Sequence, residues 1–141
     1  MITEIRNCVP ADRDRVINLW NCVFPESTGH NLPQDAIDRK MAVDDKLFFV
    51  ACQENGDVVG TVVAGYDGHR GWLYSVAVAP DARRLGIGSC LVRHAEAELA
   101  KRGCPKINLQ VRANNAGVTA FYESLGFRLE ERISMGKVTT K

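Results

Sequence analysis

The chain has 141 residues, with 18 basic and 17 acidic side chains for a formal net charge of +1. That balance builds no global field to attract nucleic acid or an anionic membrane surface, so neither is expected as a partner. With 45% hydrophobic and 25% charged residues, the composition is that of an ordinary globular chain. The length fits a single domain, residues 1–141, and no apolar run approaches the ~20 residues of a membrane span.

MITEIRNC at the start carries charge early and lacks the apolar core of a signal peptide. Five cysteines (Cys8, Cys22, Cys52, Cys90, Cys104) are scattered and outside any CxxC, which favours a reducing cytoplasm over a disulfide framework. His30, His69 and His94 have no ligand spacing with one another or with those cysteines, so no metal is expected.

Thr3 to Cys8 alternates and reads as a first strand, broken by Val9-Pro10-Ala11. Asp12 and Asp14 sit where acids favour a helix start. Val16, Leu19, Trp20 and Val23 follow at i, i+3, i+4, i+7, one apolar helical face ending at Pro25. The polar loop Glu26 to Pro33 leads to a second helix, Gln34 to Val43, with Ile37 and Met41 on one side. Leu47 to Gln53 is a buried-type strand. Asn55-Gly56 is a hairpin signal, and Val58 to Tyr66 is the return strand. Asp67-Gly68 supports a second reversal into Trp72 to Ala79. The loop Tyr66 to Gly71 holds His69, the one side chain there that titrates near neutrality unperturbed, but turn chemistry alone explains its Asp and glycines.

The stretch from Leu73 to Ser89, LYSVAVAPDARRLGIGS, organises the rest. An apolar strand stops at Pro80, two arginines follow, and Gly86-Ile87-Gly88 opens a helix running to Arg102. The first N–H groups of a helix lack intrahelical partners, its dipole adds positive charge there, and glycine lets a ligand approach the backbone. A phosphate or pyrophosphate is the natural guest. The Walker lysine is missing, and Leu91 stands where a dinucleotide fingerprint needs its third glycine. Read alone, the segment is equally a tight surface turn with exposed arginines. Gly103 stops the helix, Lys106 to Arg112 is another strand, and the strand-helix-strand order suits a parallel crossover. Asn114-Asn115 opens a last helix with Val118, Phe121, Tyr122 and Leu125 as its apolar positions and Gly126 as its end. Phe127 onward alternates loosely, as two short strands or one bent one. The fold class is α+β, a mixed sheet in the order β-α-α-β-β-β-α-β-α-β(-β).

Arg83-Arg84-Leu85-Gly86-Ile87-Gly88, with Val76, Val78 and Pro80 ahead of it, resembles the acetyl-CoA loop of the GNAT N-acetyltransferases. Asn115, with Tyr122 seven residues on and Glu123-Ser124-Leu125-Gly126-Phe127 after it, is similar to a second signature of that family. The two occur in family order, and the resemblance covers nearly all of the chain. Among bacterial members it is closest to the YpeA-type acetyltransferases, through GDVVGTV, GYDGHRG and RGCPKI. It is less close to the ribosomal-protein alanine N-acetyltransferases, through LQVRANNA and FYESLGF.

The resemblance implies a GNAT fold and direct acetyl transfer from acetyl-CoA, as cosubstrate and without a metal, to a primary amine of a small molecule or peptide. It implies that backbone N–H groups of Arg84, Leu85, Gly86, Ile87, Gly88 and Ser89 hold the pyrophosphate, that Arg83 and Arg84 add charge, and that Val76 and Val78 pair with the pantetheine arm. It further implies that Asn115 bonds that arm and that Tyr122 protonates the leaving thiolate. A homodimer stays open.

The general base departs from the family pattern. Gln110 and Trp72 stand where family members carry a Glu, and neither accepts a proton at neutral pH. A water relay to Tyr74, Asp67, Glu26 or a backbone carbonyl is the alternative. The rival reading is a non-catalytic acyl-CoA-binding sensor or interaction domain, favoured by the missing base and opposed by Tyr122.

Overall fold

LFFVACQ and VVGTVVAGY are apolar at both parities. A strand of that kind must bury both of its faces, and this requirement fixes the architecture. In the computed structural model, which describes residues 2–139, strands β2 (Phe48–Gln53) and β3 (Val58–Tyr66) lie inside a five-stranded sheet. β1 (Ile2–Asn7) flanks β2, β4 (Gly71–Val78) flanks β3, and β5 (Ile107–Asn108) closes the other edge. All pairings are antiparallel except β4 with β5, which is parallel. The crossover between those two is helix α3 (Ile87–Lys101).

Helices α1 (Arg13–Val23) and α2 (Pro33–Val43) cover one face. Val16, Leu19, Trp20 and Ile37 pack there on Phe48, Val50, Cys52, Val63 and Ala77. The Trp20 ring stacks on Phe48 at 5.7 Å and meets Phe24 edge-on at 6.5 Å. Such pairs contribute roughly 0.5–1.5 kcal/mol beyond burial. The opposite face takes α3, whose Ile87, Leu91, Val92, Ala95 and Leu99 are buried. His94 of α3 meets Phe49 edge-on at 4.6 Å. Gly60 of β3 makes this approach close, because a Cβ there would stand 2.8 Å from Leu91 Cδ1 and 3.2 Å from Ile87 Cγ2.

These elements make up one compact unit, residues 1–109, and residues 110–141 form a second. The second is built around α4 (Ala116–Ser124). Its C-terminus closes as expected at Gly126, with φ +94°, where the N–H groups of Leu125 and Phe127 both donate to the Tyr122 carbonyl.

Three expectations need correcting. The last strand or strands do not form, since residues 127–139 contain no strand. Leu129, Ile133 and Met135 are 82%, 91% and 90% exposed, and alternation makes a strand only where a ladder and a face to bury are supplied. The strand expected over 106–112 contracts to Ile107–Asn108, because β4 offers it a partner only at Gly71 and Trp72. Asp12 and Asp14 do mark the start of the first helix: Asp12 is the N-cap of α1, which begins at Arg13, and Asp14 lies in its first turn. The second helix starts at Pro33, a residue whose fixed φ and missing N–H suit a first helical position.

Candidate active site

The strand-turn-helix segment folds as its residue types require. β4 ends at Val78, Pro80–Ala82 forms a single 3-10 turn, and Arg83 is extended. Arg84 and Gly86 then take left-handed φ values of +67° and +78°. Gly86 is the N-cap of α3, and the Cys90 N–H closing on its carbonyl at 3.0 Å is the first intrahelical bond. A glycine cap has no side chain to satisfy the first-turn donors, and that turn carries no acidic residue. Arg83 and Arg84 are exposed beside it. A Cβ on Gly86 would meet nothing within 4 Å, so a ligand has room to reach the backbone. Donors, dipole and cations lie together at this turn, the combination that suits an anion. Gly88 lies inside the first turn of α3, so the turn itself depends on Gly86. Leu85 is 60% exposed, Ile87 is buried against Gly60, and Ser89 is half-buried in the first turn of α3.

Val76 and Val78 stand on the free edge of β4 for a reason visible in the register. Thr61 pairs with Ala77, but Val63 pairs with Tyr74. Ser75 and Val76 therefore oppose the single residue Val62, which is a β-bulge in β4. Ser75 takes φ +49° to make it. Before the bulge, the Gly71 N–H points toward β5 and bonds the Lys106 carbonyl at 2.8 Å. After it, the Ala79 N–H points the opposite way, to the Val59 carbonyl of β3, at 2.8 Å. Residues of the same parity thus face opposite neighbours. The main-chain groups of Val76 and Val78 are turned away from β3, past the two-residue ladder with β5. Arg83 Nε donates to the Val78 carbonyl at 3.2 Å.

No motif in the sequence marks Thr61 or Ser75. Thr61 is fully buried. It accepts from Trp20 Nε1 at 2.9 Å and donates to the Ser75 carbonyl at 2.9 Å. The available signal was a lone hydroxyl in the apolar run VVGTVVAG.

In the second unit, Asn115 is the N-cap of α4, its Oδ1 accepting from the Val118 N–H at 3.3 Å. Tyr122, two turns on along the same helix, is held edge-on between Phe121 and Phe127 at 5.0 and 5.8 Å. Burial pushes its phenol up to about 12, so it stays a proton donor at any physiological pH. Gln110 lies outside the strand expected for it, exposed, with Nε2 donating to Ser134 Oγ.

The base candidates sort by their surroundings. Asp67 accepts from the N–H groups of Arg70 and His69, both at 2.8 Å. Those bonds hold its carboxylate below the usual range and make it a poor proton acceptor. Partial burial pushes the Tyr74 phenol up, which keeps it protonated. Trp72 lies in β4 opposite Gly65, and Glu26 is exposed. Among the described residues no group of three or more His, Cys, Asp or Glu side chains could hold a metal ion, and no helix is long and apolar enough to cross a membrane.

A model of the acetyltransferase (GNAT) family matches residues 13–127. An acetyltransferase of Pectobacterium atrosepticum is 43% identical over 135 residues, 95% of this chain and 94% of that one. Among solved structures, the ribosomal-protein-S18-alanine N-acetyltransferase from Escherichia coli superposes with a TM-score of 0.73 at 29% identity, over 91% of this chain and 78% of that one. An aminoglycoside N-acetyltransferase in complex with CoA shares the fold, with a TM-score of 0.77 at 18% identity over 97% of this chain and 95% of that one. The chain belongs to the GNAT acetyltransferase family and is an acetyl-CoA-dependent N-acetyltransferase.

Proposed function

We propose that the acceptor is a primary amine of a small molecule or a peptide, and that residues 1–141 act as one catalytic domain. The observation that carries the reading is the pairing of a bulged strand edge with an uncapped helix N-terminus. The turn from Arg84 to Ser89 binds the pyrophosphate on main-chain N–H groups, with Arg83 and Arg84 adding charge. Val76 and Val78 present main-chain donors and acceptors to the amide-bearing pantetheine arm, as an edge strand does to an added strand. For that pairing, Arg83 Nε gives up the Val78 carbonyl. Asn115 is assigned a bond to the same arm, which its capping role leaves to its amide group.

In the reaction the neutral amine nitrogen attacks the thioester carbonyl. The C–N bond forms, the C–S bond breaks, and the sulfur leaves as a thiolate. Tyr122 donates its proton to that sulfur and is reprotonated from solvent. The proton lost by nitrogen goes to water, because Gln110 and Trp72 stand in place of the family's Glu residues. This arrangement favours an acceptor with a low amine pKa, such as a peptide α-amine at ~7.7–8.0, over an exposed lysine at ~10.4. Among the described residues no two of the five cysteines form a disulfide, in keeping with a reducing, cytoplasmic setting. Monomer and homodimer both accommodate the reading.

The test is thiol release from acetyl-CoA across a panel of small amines and N-terminal peptides. Turnover stimulated by one acceptor class supports the proposal. CoA binding with no turnover on any small amine or N-terminal peptide would overturn this choice of acceptor class.

A further inference from the structure

The geometry points to Trp20 and Thr61 as positioning residues that hold the β4 bulge and thereby aim Val76 and Val78 at acetyl-CoA. The inference rests on the cosubstrate assignment above and concerns residues that touch neither substrate.

The direction of the relay is fixed by chemistry. An indole N–H can only donate, so the Thr61 oxygen accepts from Trp20, and its single proton is left for the Ser75 carbonyl. Both bonds are 2.9 Å. Ser75 is a non-glycine residue at φ +49°. Such a conformation is unfavourable for an L side chain and persists only where its surroundings over-determine it. Here the determinant reaches across from the adjacent strand, 14 residues earlier in the chain, and is anchored in turn by a Trp that is 3% exposed and stacked on Phe48.

A valine would fill the Thr61 site equally well. Its neighbours Val59, Val62 and Val63 are buried apolar residues, and a hydroxyl among them is costly unless bonded. What the hydroxyl adds is a pair of bonds, one accepted from Trp20 and one donated to the bulge. The bulge converts an ordinary ladder, in which Ala77 would face the cosubstrate edge, into one in which Val76 and Val78 do.

The test compares Thr61→Val, Thr61→Ser and the double variant Thr61→Val/Ser75→Gly by CoA calorimetry, steady-state kinetics and amide NMR of the ligand-free protein. Thr61→Val should raise the Kd for CoA about tenfold and shift the Ser75 to Val78 amide resonances, while Thr61→Ser stays within about twofold of wild type. Ser75→Gly removes the conformational penalty, so the double variant should recover most of the CoA affinity. A part played only in packing predicts no such recovery.

Thr61→Val with unchanged CoA affinity and unmoved Ser75 to Val78 resonances would overturn the inference, as would a folded double variant with no recovery. If Thr61→Val fails to fold, Trp20→Phe takes its place: shifted Ser75 and Val76 amides with weakened CoA binding support the relay, and unchanged ones overturn it. Failure of the cosubstrate assignment reads differently, as wild-type protein that binds no CoA.

Discussion

Arg6 and Asp12 meet fork to fork, Nη1 to Oδ2 at 2.7 Å and Nη2 to Oδ1 at 2.9 Å. The same Asp12 Oδ2 accepts from the Val9 N–H at 2.9 Å, tying the end of β1 to the start of α1. Asp12 is 3% exposed, and the Arg6 bonds hold its carboxyl below the usual carboxylate range despite burial. A depressed folded pKa stabilises the protein above the unfolded value, ~3.9, and that stabilisation is lost as pH falls through the folded value. Asp12→Asn should cost about 2 kcal/mol at neutral pH. In urea titrations the gap between wild type and variant should be full above about pH 4 and shrink below it. A gap that does not change with pH would contradict the ion pair.

Gly60→Ala tests how α3 is seated. The new methyl would stand 2.8 Å from Leu91 Cδ1 and 3.1 Å from the Ala77 carbonyl. Overpacking of this kind costs typically ~1–3 kcal/mol. Denaturant unfolding should show that loss in midpoint, with an unchanged slope.

Gly86 separates a phosphate site from a bare turn. Asn and Asp have nearly the same shape, and both tolerate left-handed φ better than other side chains, so a pair of variants isolates charge. Gly86→Asp should weaken CoA binding in calorimetry more than Gly86→Asn does, and added salt should narrow the difference. Equal affinities in the two variants would move the pyrophosphate elsewhere.

Tyr122→Phe should keep the fold and roughly the CoA affinity while lowering kcat by ~10²-fold or more. The wild-type phenol, pushed up to about 12 by burial, should give no alkaline fall in rate at pH values well below that. Full kcat in Tyr122→Phe would leave this residue as an ordinary member of the aromatic cluster with Phe121 and Phe127.

With proton removal left to solvent, the pH–rate profile should follow the acceptor. Two amines of different pKa should give kcat/KM profiles whose acid limbs inflect at each amine's own value. Inflection at one common pH would reveal an enzyme base. Gln110→Glu, if it introduces one, should lift the low-pH limb by up to ~10²-fold.

The strands β2 and β3, helices α1 to α4 and the Gly86 turn were legible because local residue chemistry determines each of them. Asn55-Gly56 turns the hairpin, and Gly86 takes its φ of +78° at no steric cost. The bulge was not legible, since serine has no preference for left-handed φ and Ser75 takes it under a hydrogen bond from the adjacent strand, 14 residues earlier in the chain. Nor was the inward turn of Asp12, whose partner Arg6 lies across a break in the chain's regular structure. The tail beyond Phe127 shows the converse. Ile133 and Met135 alternate as a strand would, but alternation encodes a preference that only a partner realises. For the site, the turn and its arginines carry local signals for the proposed anion cradle, whereas the edge at Val76 and Val78 owes its proposed aim to Thr61.

The extra residue at Ser75 also governs how this strand can change length. Removing one residue between Gly71 and Val78 while the bulge is kept would exchange the two edges of everything after it, turning the Ala77 and Ala79 amides outward and the Val76 and Val78 amides into the sheet. Insertions and deletions in this strand are therefore tolerable only in pairs, or when a single change is matched by loss or gain of the bulge itself. The strand behaves as a two-position selector, set by the count of residues between its fixed ends.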